Sequence, residues 1–205
     1  QNGIAVKAVR TSCDSFPINT RADLHRLRAR LSGTPSEGPD SKHICLLDCT
    51  LRDGGYVNDW RFGHESIVVI ANRLVDAGID FIEVGFLDER VEPSDDRYIQ
   101  PDVASFNRLF SRFDKKGSRI VAMIDYGTCG IDKLLPRDRT FIDCIRIIFK
   151  KPNMHKAAEF GRQVKALGYD VFLQMVSITA YRDEDVLELV AEVNAIMPMA
   201  VSIVA

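Results

Sequence analysis

The sequence predicts an α/β fold, a (β/α)₈ barrel that stops after about five and a half of its eight units. Short apolar segments alternate with amphipathic segments of about 10–15 residues, which is the pattern of right-handed βαβ units around a parallel sheet. The short segments are continuously hydrophobic, as expected for strands that are covered on both faces. Charged side chains follow several of them, at the end where the catalytic groups of such barrels lie.

The first 42 residues differ from the rest in composition. Thr20–Leu31 is predicted to form a short helix, and Ser32–Ser41 is rich in Gly, Pro and Ser, which is typical of a linker. We therefore expect an N-terminal extension over residues 1–42 and a partial barrel over residues 43–205. A complete barrel takes about 250 residues, so the second part has the length of about five units.

Strands and helices follow one another in a regular order after the linker. The predicted strands are Ile44–Cys49, Ile79–Phe86, Arg119–Ile124, Phe141–Phe149, Tyr169–Ile178 and Met199–Ala205. The predicted helices are His64–Gly78, Pro101–Phe113, the short Ile131–Leu135, Asn153–Leu167 and Asp183–Met197. The first helix illustrates the reasoning, because its apolar residues recur at i, i+3, i+4, i+7 and i+8 from Ile67, and Gly78 suits its C-terminal cap.

An open doubly wound sheet is the other common arrangement of βαβ units. Its dinucleotide-binding form places the pattern G-x-G-x-x-G after the first strand. This chain has D-G-G-Y at residues 53–56 instead, and no second such glycine pattern follows. Arg52 and Asp53 follow the first strand, Glu83 lies late in the second, and Asp125 ends the third. Polar groups at successive strand ends favour the barrel.

Charge and cysteine usage exclude several classes of protein. The chain has 27 Lys and Arg against 29 Asp and Glu, so it lacks the clustered basic surface that a nucleic-acid partner requires. No apolar run approaches the roughly 20 residues of a membrane span, and no secretory leader is visible. Five cysteines without a C-x-x-C pair predict reduced, buried thiols rather than disulfides or a zinc site. We therefore expect a cytoplasmic protein with neither nucleic acid nor membrane as a partner.

Residues 47–56, L-D-C-T-L-R-D-G-G-Y, carry the chemistry that we expect. Arg52 and Asp53 place a guanidinium and a carboxylate side by side at the mouth of a strand. Gly54 and Gly55 permit close approach of the backbone to a ligand or metal. An Asp in such a place can bind a hard divalent cation, and the neighbouring Arg can stabilise an oxyanion formed against that cation.

Glu83 is the third charged group of this predicted site. Strand alternation predicts two faces, with Ile79, Phe81, Glu83 and Gly85 on one and Ile82, Val84 and Phe86 on the other. An acid in so apolar a strand is costly unless it is paired, and Arg52 is the natural partner. Each feature also has a simpler interpretation when it is taken singly. The R-D-G-G segment is compatible with a polar turn, and Glu83 is compatible with an acid that only forms hydrogen bonds to a loop.

Two weaker candidates for substrate binding come from later strands. Arg146 lies within an apolar strand, and if Cys144, Arg146 and Ile148 face the barrel interior, it can reach a substrate carboxylate or Glu83. The alternative is an ion pair that merely fills the barrel. Asp125 either lines the pocket or simply ends the third strand.

The segment L-D-C-T-L-R-D-G-G-Y, followed by I-E-V-G-F one βα unit later, resembles the metal-dependent lyase and aldolase superfamily. That superfamily includes hydroxymethylglutaryl-CoA lyase, 4-hydroxy-2-oxovalerate aldolase and isopropylmalate synthase, and the similarity covers residues 43–205. The resemblance implies a TIM barrel in which Asp53 binds Mn²⁺ or Mg²⁺. It also implies that Arg52 stabilises the enolate formed when a carbon–carbon bond is made or cleaved, and that Glu83 is the glutamate of the family signature.

The chain departs from the family pattern at two points. The family completes its metal site with H-x-H on strand seven, but this chain has four His and no H-x-H, so the remaining ligands are expected beyond residue 205. The hydroxy-oxovalerate aldolases carry a His base four residues after the Arg, where this chain has Tyr56. A phenol with a pKa near ~10 acts as a base only if its pKa is lowered or if it works through water.

The principal functional hypothesis is a metal-dependent aldolase or lyase that acts on a small 2-oxo acid through an enolate. One alternative is an acyl-CoA condensing synthase of the isopropylmalate synthase type. Another is a non-catalytic or degenerate barrel that serves as a binding or assembly module. An incomplete barrel leaves two open sheet edges, so we also expect a homo-oligomer.

Overall fold

One parallel sheet organises the computed structural model, which describes residues 45–111 and 113–205. Its strands are β1 (Leu47–Asp48), β2 (Phe81–Leu87), β3 (Ile99–Gln100), β4 (Arg119–Asp125), β5 (Cys144–Phe149), β6 (Asp170–Val176) and β7 (Ala200–Val204). They pair in the order β1-β2-β4-β5-β6-β7, and the short β3 pairs with the end of β2. The predicted helix Thr20–Leu31, the linker and the boundary near residue 42 lie outside the described residues.

Helices connect the strands on one side of the sheet. They are α1 (Thr50–Asp53), α2 (His64–Asp76), α3 (Val103–Leu109), α4 (Met154–Ala166) and α5 (Asp183–Ile196). All six predicted strands are present, and the predicted helices are α2 to α5, with the short one at Ile131–Leu135 found as a 3₁₀ turn. The sequence analysis missed α1 and β3, which are short elements inside segments that it assigned to loops.

The sheet is strongly curled. β2 and β6 stand three positions apart in the strand order, which is about 14 Å in a flat sheet. The rings of Phe81 in β2 and Phe172 in β6 nevertheless lie 5.4 Å apart and meet edge to face. The six strands of the main path therefore form a half-barrel, with a concave face that these rings fill.

Side-chain alternation separates the two faces of this half-barrel. In β5, Ile145, Ile147 and Phe149 belong to the large core between the sheet and the helices. Cys144 belongs to a small cluster on the concave face, and Arg146 follows on that face. Because Cys144 and Arg146 are buried as well, every residue of β5 except the arginine is apolar. Cys144 and Arg146 thus lie on the interior face, which is the condition under which Arg146 can reach Glu83.

A β-bulge in β2 overturns one sequence-based expectation. The pairing of β2 with β4 shifts between Glu83 and Gly85, where Gly85 has a φ of 149°. A Cβ at Gly85 would lie 2.0 Å from the carbonyl oxygen of Tyr98, so this close approach requires glycine. Because of the extra residue, Phe86 packs against the guanidinium of Arg52, beside Glu83 rather than on the opposite face as strict alternation predicted.

The described cysteines are free thiols, but they are not uniformly buried. Cys129 and Cys144 are buried, Cys49 is partly exposed, and Cys45 is exposed. The expectation of buried thiols is therefore wrong for Cys45, which lies just before β1, where no further strand in the described residues covers it. None of the described helices is both long and apolar enough to cross a membrane.

Candidate active site

The turn after β1 positions Arg52. Asp48 accepts hydrogen bonds from the backbone N–H of Thr50 at 2.9 Å and from its hydroxyl at 3.0 Å, so the chain turns into α1 directly. Arg52 lies within this single helical turn, and a 3₁₀ turn over Gly54–Val57 continues it. The arginine is thus held on a hydrogen-bonded turn at the strand mouth rather than on an open polar loop.

Gly55 serves a packing role that differs from the predicted one. A Cβ there would lie 1.8 Å from the indole ring of Trp60, so the ring can pack against the turn only because residue 55 has no side chain. The indole Nε1–H donates to the carbonyl oxygen of Arg52 at 2.7 Å, which fixes the turn further. The glycine therefore admits Trp60, whereas the sequence analysis expected it to admit a ligand or metal.

Glu83 joins two arginines on the concave face. Arg52 Nε donates to Glu83 Oε1 at 2.6 Å, and Arg146 Nη2 donates to the same oxygen at 2.5 Å. Arg146 Nε also lies 2.5 Å from Oε2, but its N–H is not aligned with that oxygen, so both atoms lack a hydrogen bond within the described residues. The predicted pairing of Arg52 with Glu83 is present, although Glu83 is the third residue of β2 rather than a late one.

Arg146 has a further partner on β6. Its Nη1 donates to Gln174 Oε1 at 2.8 Å, and the hydroxyl of Ser202 in β7 donates to the same amide oxygen at 3.0 Å. Two partners were considered for Arg146, a substrate carboxylate and Glu83, and the structure contains the pair with Glu83. The sequence analysis missed Gln174 and Ser202, although Gln174, like Arg146, is a polar residue between apolar neighbours in a strand.

The electrostatics of this cluster favour charged arginines. Burial alone would lower the pKa of the Arg52 guanidinium, but the adjacent Glu83 carboxylate more than compensates, and the pKa is raised overall. The thiol of Cys49 lies beside the same groups, and its pKa is raised by burial and by the negative charge of Glu83. The cluster thus holds two guanidinium ions around one fully buried carboxylate.

Asp53 is the remaining acid of the motif. Its side chain is 59% exposed and forms an ion pair with Arg52 Nη1. Among residues 45–111 and 113–205, no group of three or more His, Cys, Asp or Glu side chains could hold a metal ion. The described residues therefore offer one carboxylate to a divalent cation, which does not by itself fit a Mn²⁺ or Mg²⁺ site.

Tyr56 lies in an aromatic cluster at the same strand mouths. Its ring meets those of Trp60 and Phe86 edge to face, with centroids 4.7 Å and 6.3 Å away, and 65% of the residue is exposed. The guanidinium carbon of Arg52 lies 5.9 Å from the Phe86 ring. Tyr56 and Arg52 therefore both contact the Phe86 ring, and Tyr56 is the more exposed to solvent.

Asp125 lies at the end of β4, beside a separate cleft of about 240 Å³ that also includes Trp60 and Phe86. Partial burial raises the pKa of the Asp125 carboxyl, against the opposing effect of Lys150 and Arg90. Among the described residues, neither Arg52 nor Glu83 lines this cleft. Asp125 is thus near the predicted site without belonging to the arginine cluster.

Comparisons with known proteins find similarity among solved structures, and it is distant. No protein-family model matches the chain, and no curated protein matches it. Among solved structures, the chain is similar to one described as "the N-terminal domain of a putative aldolase from Bacteroides vulgatus", with 22% identity and a TM-score of 0.47. The match covers 78% of this chain and 63% of the other, so the chain spans less than two thirds of that structure.

Proposed function

We propose that residues 45–205 are part of a (β/α)₈ barrel of the aldolase and lyase type, acting on a small 2-oxo acid through an enolate. One observation carries this proposal, the hydrogen bond of Arg52 Nε to the fully buried Glu83 at a strand mouth. Glu83 fixes the guanidinium at Nε and the exposed Asp53 pairs with it at Nη1, so Nη2 is the nitrogen that can turn to a ligand. Such a preorganised cation suits an oxyanion that develops during a reaction.

In this proposal, Arg52 stabilises the charge that develops as the carbon–carbon bond next to the carbonyl breaks. The bonding electron pair moves onto the 2-oxo acid fragment and forms the enolate, whose oxygen accepts a hydrogen bond from Arg52. Glu83 positions the guanidinium, and Trp60 holds the backbone of the same residue. Because these contacts exist before substrate binds, little reorganisation is needed during the reaction.

Two proton transfers complete the reaction. A base takes the hydroxyl proton of the substrate as the bond breaks and the second carbonyl forms, and the enolate carbon then accepts a proton. Tyr56 is the proposed proton carrier because its ring packs against Phe86, which also contacts Arg52. Its exposure gives it access to water, through which a phenol can act.

Dependence on Mn²⁺ or Mg²⁺ remains part of the proposal, with Asp53 as one ligand. Since the described residues offer only this carboxylate, we assign no step to the ion. Calorimetric titration of the chain with Mn²⁺ tests this point directly. Binding in a 1:1 ratio that Asp53→Asn abolishes would support the ligand assignment, and unchanged binding in that variant would contradict it.

The test of the proposed reaction compares Arg52 variants in an assay of pyruvate release from a 4-hydroxy-2-oxo acid with Mn²⁺ present. We expect Arg52→Ala to lower turnover about 10²–10³-fold, the usual effect of removing one oxyanion donor. Arg52→Lys keeps the charge but loses the fork geometry, so it should restore only part of the activity. Arg162→Ala is the matched control, because Arg162 is an exposed arginine of α4 that pairs with Glu159.

Two outcomes would overturn the proposal. One is the absence of pyruvate release by the unaltered chain with either metal, and the other is unchanged turnover in Arg52→Ala. Tyr56→Phe separates the role of the phenol from that of the arginine. It should lower turnover while leaving the binding of oxalate, an enolate mimic, unchanged.

A further inference from the structure

A cleft of about 240 Å³ lies at the ends of β2 and β4, next to the proposed reaction site. Trp60 and Phe86 give it an aromatic wall, and both also contact Arg52, Trp60 at the backbone carbonyl and Phe86 at the guanidinium. Its polar groups come from Asp88, Arg90, Asp125 and Thr128. We call this space, which these six residues line, the mouth cleft.

The mouth cleft lies at the end of the sheet where a barrel keeps its opening. Asp125 is the last residue of β4, and Asp88 directly follows β2. In a complete barrel, further strands would enclose the interior of the sheet, whereas the C-terminal ends of the strands stay open and carry the active site. The mouth cleft is therefore placed to hold the part of a substrate that extends beyond Arg52.

Hydrogen bonds hold the walls of the mouth cleft in place. The Thr128 hydroxyl donates to the carbonyl oxygen of Leu87 at 2.9 Å, and the Glu89 N–H donates to the carbonyl oxygen of Thr128 at 2.9 Å. These bonds tie the segment after β4 to the segment after β2. Arg90 donates to both oxygens of the Asp88 carboxylate, at 2.7 Å and 2.6 Å. The cleft thus exists before a ligand binds, which lowers the entropic cost of binding.

The polar groups of the mouth cleft keep both acceptors and a donor for a ligand. Within the described residues, no group donates a hydrogen bond to the Asp125 carboxylate. The Thr128 hydroxyl uses its proton on Leu87, so its oxygen remains an acceptor. Arg90 binds Asp88 through Nε and Nη2, which leaves Nη1 as a donor. A hydroxyl group both donates and accepts, so it matches this mixture of groups.

Charge is balanced around the mouth cleft. Asp88 pairs with Arg90, and the charges of Lys150 and Arg90 act on Asp125 against the effect of its partial burial. Two carboxylates thus face two cations, and neither sign is in excess. A neutral ligand with hydroxyl groups fits this setting better than an ion does, and its carbon chain can pack on the aromatic wall.

We propose that the mouth cleft binds the aldehyde half of the substrate, and that this half is a short polyhydroxylated carbon chain. Its hydroxyl groups donate to Asp125 and accept from Arg90, while its carbon chain packs on Trp60 and Phe86. The inference rests on the proposed function, because it names the class of 4-hydroxy-2-oxo acid that is cleaved. Cleavage leaves the bonding electron pair on the pyruvate half, passes the hydroxyl proton to the base, and releases a hydroxyaldehyde.

Unreactive analogues test this binding without turnover. Borohydride reduction of 4,5,6-trihydroxy-2-oxohexanoate and of 4-hydroxy-2-oxohexanoate removes the carbonyl that cleavage requires. The two resulting 2-hydroxy acids differ only in the hydroxyl groups of the tail. In calorimetric titrations of the whole chain with Mn²⁺ present, we expect the analogue with the hydroxylated tail to bind at least about tenfold more tightly, the effect of one hydrogen bond to a charged group.

Variants of Asp125 assign this preference to the mouth cleft. Asp125→Ala should weaken binding of the hydroxylated analogue to the level of the other analogue, whose own binding should not change. Asp125→Asn keeps an uncharged oxygen acceptor, so its preference should be intermediate. Asp76→Asn is the matched control, because Asp76 is an exposed acid at the end of α2 that pairs with Lys116.

Three outcomes would each overturn the proposal: equal binding of the two analogues, binding of neither, or an unchanged preference in either Asp125 variant. The proposed reaction is assayed separately, as pyruvate release from the two parent 2-oxo acids. Absence of pyruvate release, together with a binding preference that Asp125→Ala abolishes, would overturn the reaction and leave the ligand class of the mouth cleft standing.

Discussion

The buried carboxylates of Asp143 and Glu83 each contact two cations. They differ in whether both of their oxygens accept hydrogen bonds. Asp143, just before β5, accepts from Lys115 Nζ at 2.7 Å and 2.8 Å through its two oxygens. Arg137 also donates to Oδ1, and the backbone N–H of Ile120 donates to Oδ2 at 2.8 Å. The side chains of Lys115 and Arg137 are 30% and 35% exposed, so water shares in their solvation.

Glu83 also contacts two cations, but the side chains of these cations are much less exposed to solvent. The side chains of Arg52 and Arg146 are only 12% and 8% exposed, and Glu83 Oε2 receives no aligned donor from the described residues. Asp143 is therefore a closed ion cluster that ties the beginnings of strands together. At Glu83, one carboxylate oxygen and the Nε–H of Arg146 lack an aligned partner among the described residues, and such buried unsatisfied groups are typical of functional sites.

The largest expected effect comes from removing the charge of Glu83. Glu83→Gln leaves the buried Arg146 without a counter-ion and Arg52 with only the exposed Asp53, so it should lower the free energy of unfolding by about 3–5 kcal/mol. Denaturant unfolding followed by circular dichroism measures this loss. Glu159→Gln, at an exposed position of α4, is the control and should change stability little.

A double variant sharpens this result. Glu83→Gln combined with Arg146→Met also removes the guanidinium that has lost its counter-ion and replaces it by an apolar side chain of similar length. The double variant should therefore be more stable than Glu83→Gln alone. Additive losses from the two substitutions would show that the arginine and the glutamate do not act as one cluster.

An intermediate effect is expected at the other cluster. Asp143→Ala should cost about 1–3 kcal/mol, because the amide of Ile120 loses its acceptor while Lys115 and Arg137 can turn toward water. The same unfolding measurement applies. A loss as large as that of Glu83→Gln would contradict the distinction between the clusters.

The sequence analysis found the Glu83 cluster because its signals are local. Arg52 directly follows a strand, and Glu83 and Arg146 are charged residues inside apolar segments, where an unpaired charge is costly. Asp143 also lies inside a predicted apolar strand, but its partners were not predicted, since its cations come from loops 28 and 6 residues away in sequence. Contacts of that kind depend on tertiary packing, which residue patterns do not specify.

Local irregularities of backbone and packing account for the remaining differences between the predictions from sequence and the structure. The close approach of Tyr98 to Gly85 creates the bulge that turns Phe86 toward Arg52, and the glycine within the strand was the one available signal. Gly55 was interpreted as a ligand contact because the packing of Trp60 on it cannot be read from sequence. The homo-oligomer and the cytoplasmic location stay predictions.

The smallest effect is expected from removing one cation of the Asp143 cluster. Arg137→Gln should change the free energy of unfolding by about 1 kcal/mol or less, because Lys115 and the Ile120 amide still satisfy both carboxylate oxygens and the arginine is one-third exposed. Thermal and denaturant unfolding both measure it. A greater loss than that of Asp143→Ala would mean that Arg137 stabilises the fold by contacts other than this acid, such as its packing against Gly168. A small loss of unfolding free energy would show that the Asp143 cluster tolerates removal of one cation, because its donors are redundant and partly solvated. The less exposed Glu83 cluster should not tolerate the removal of a charge in this way.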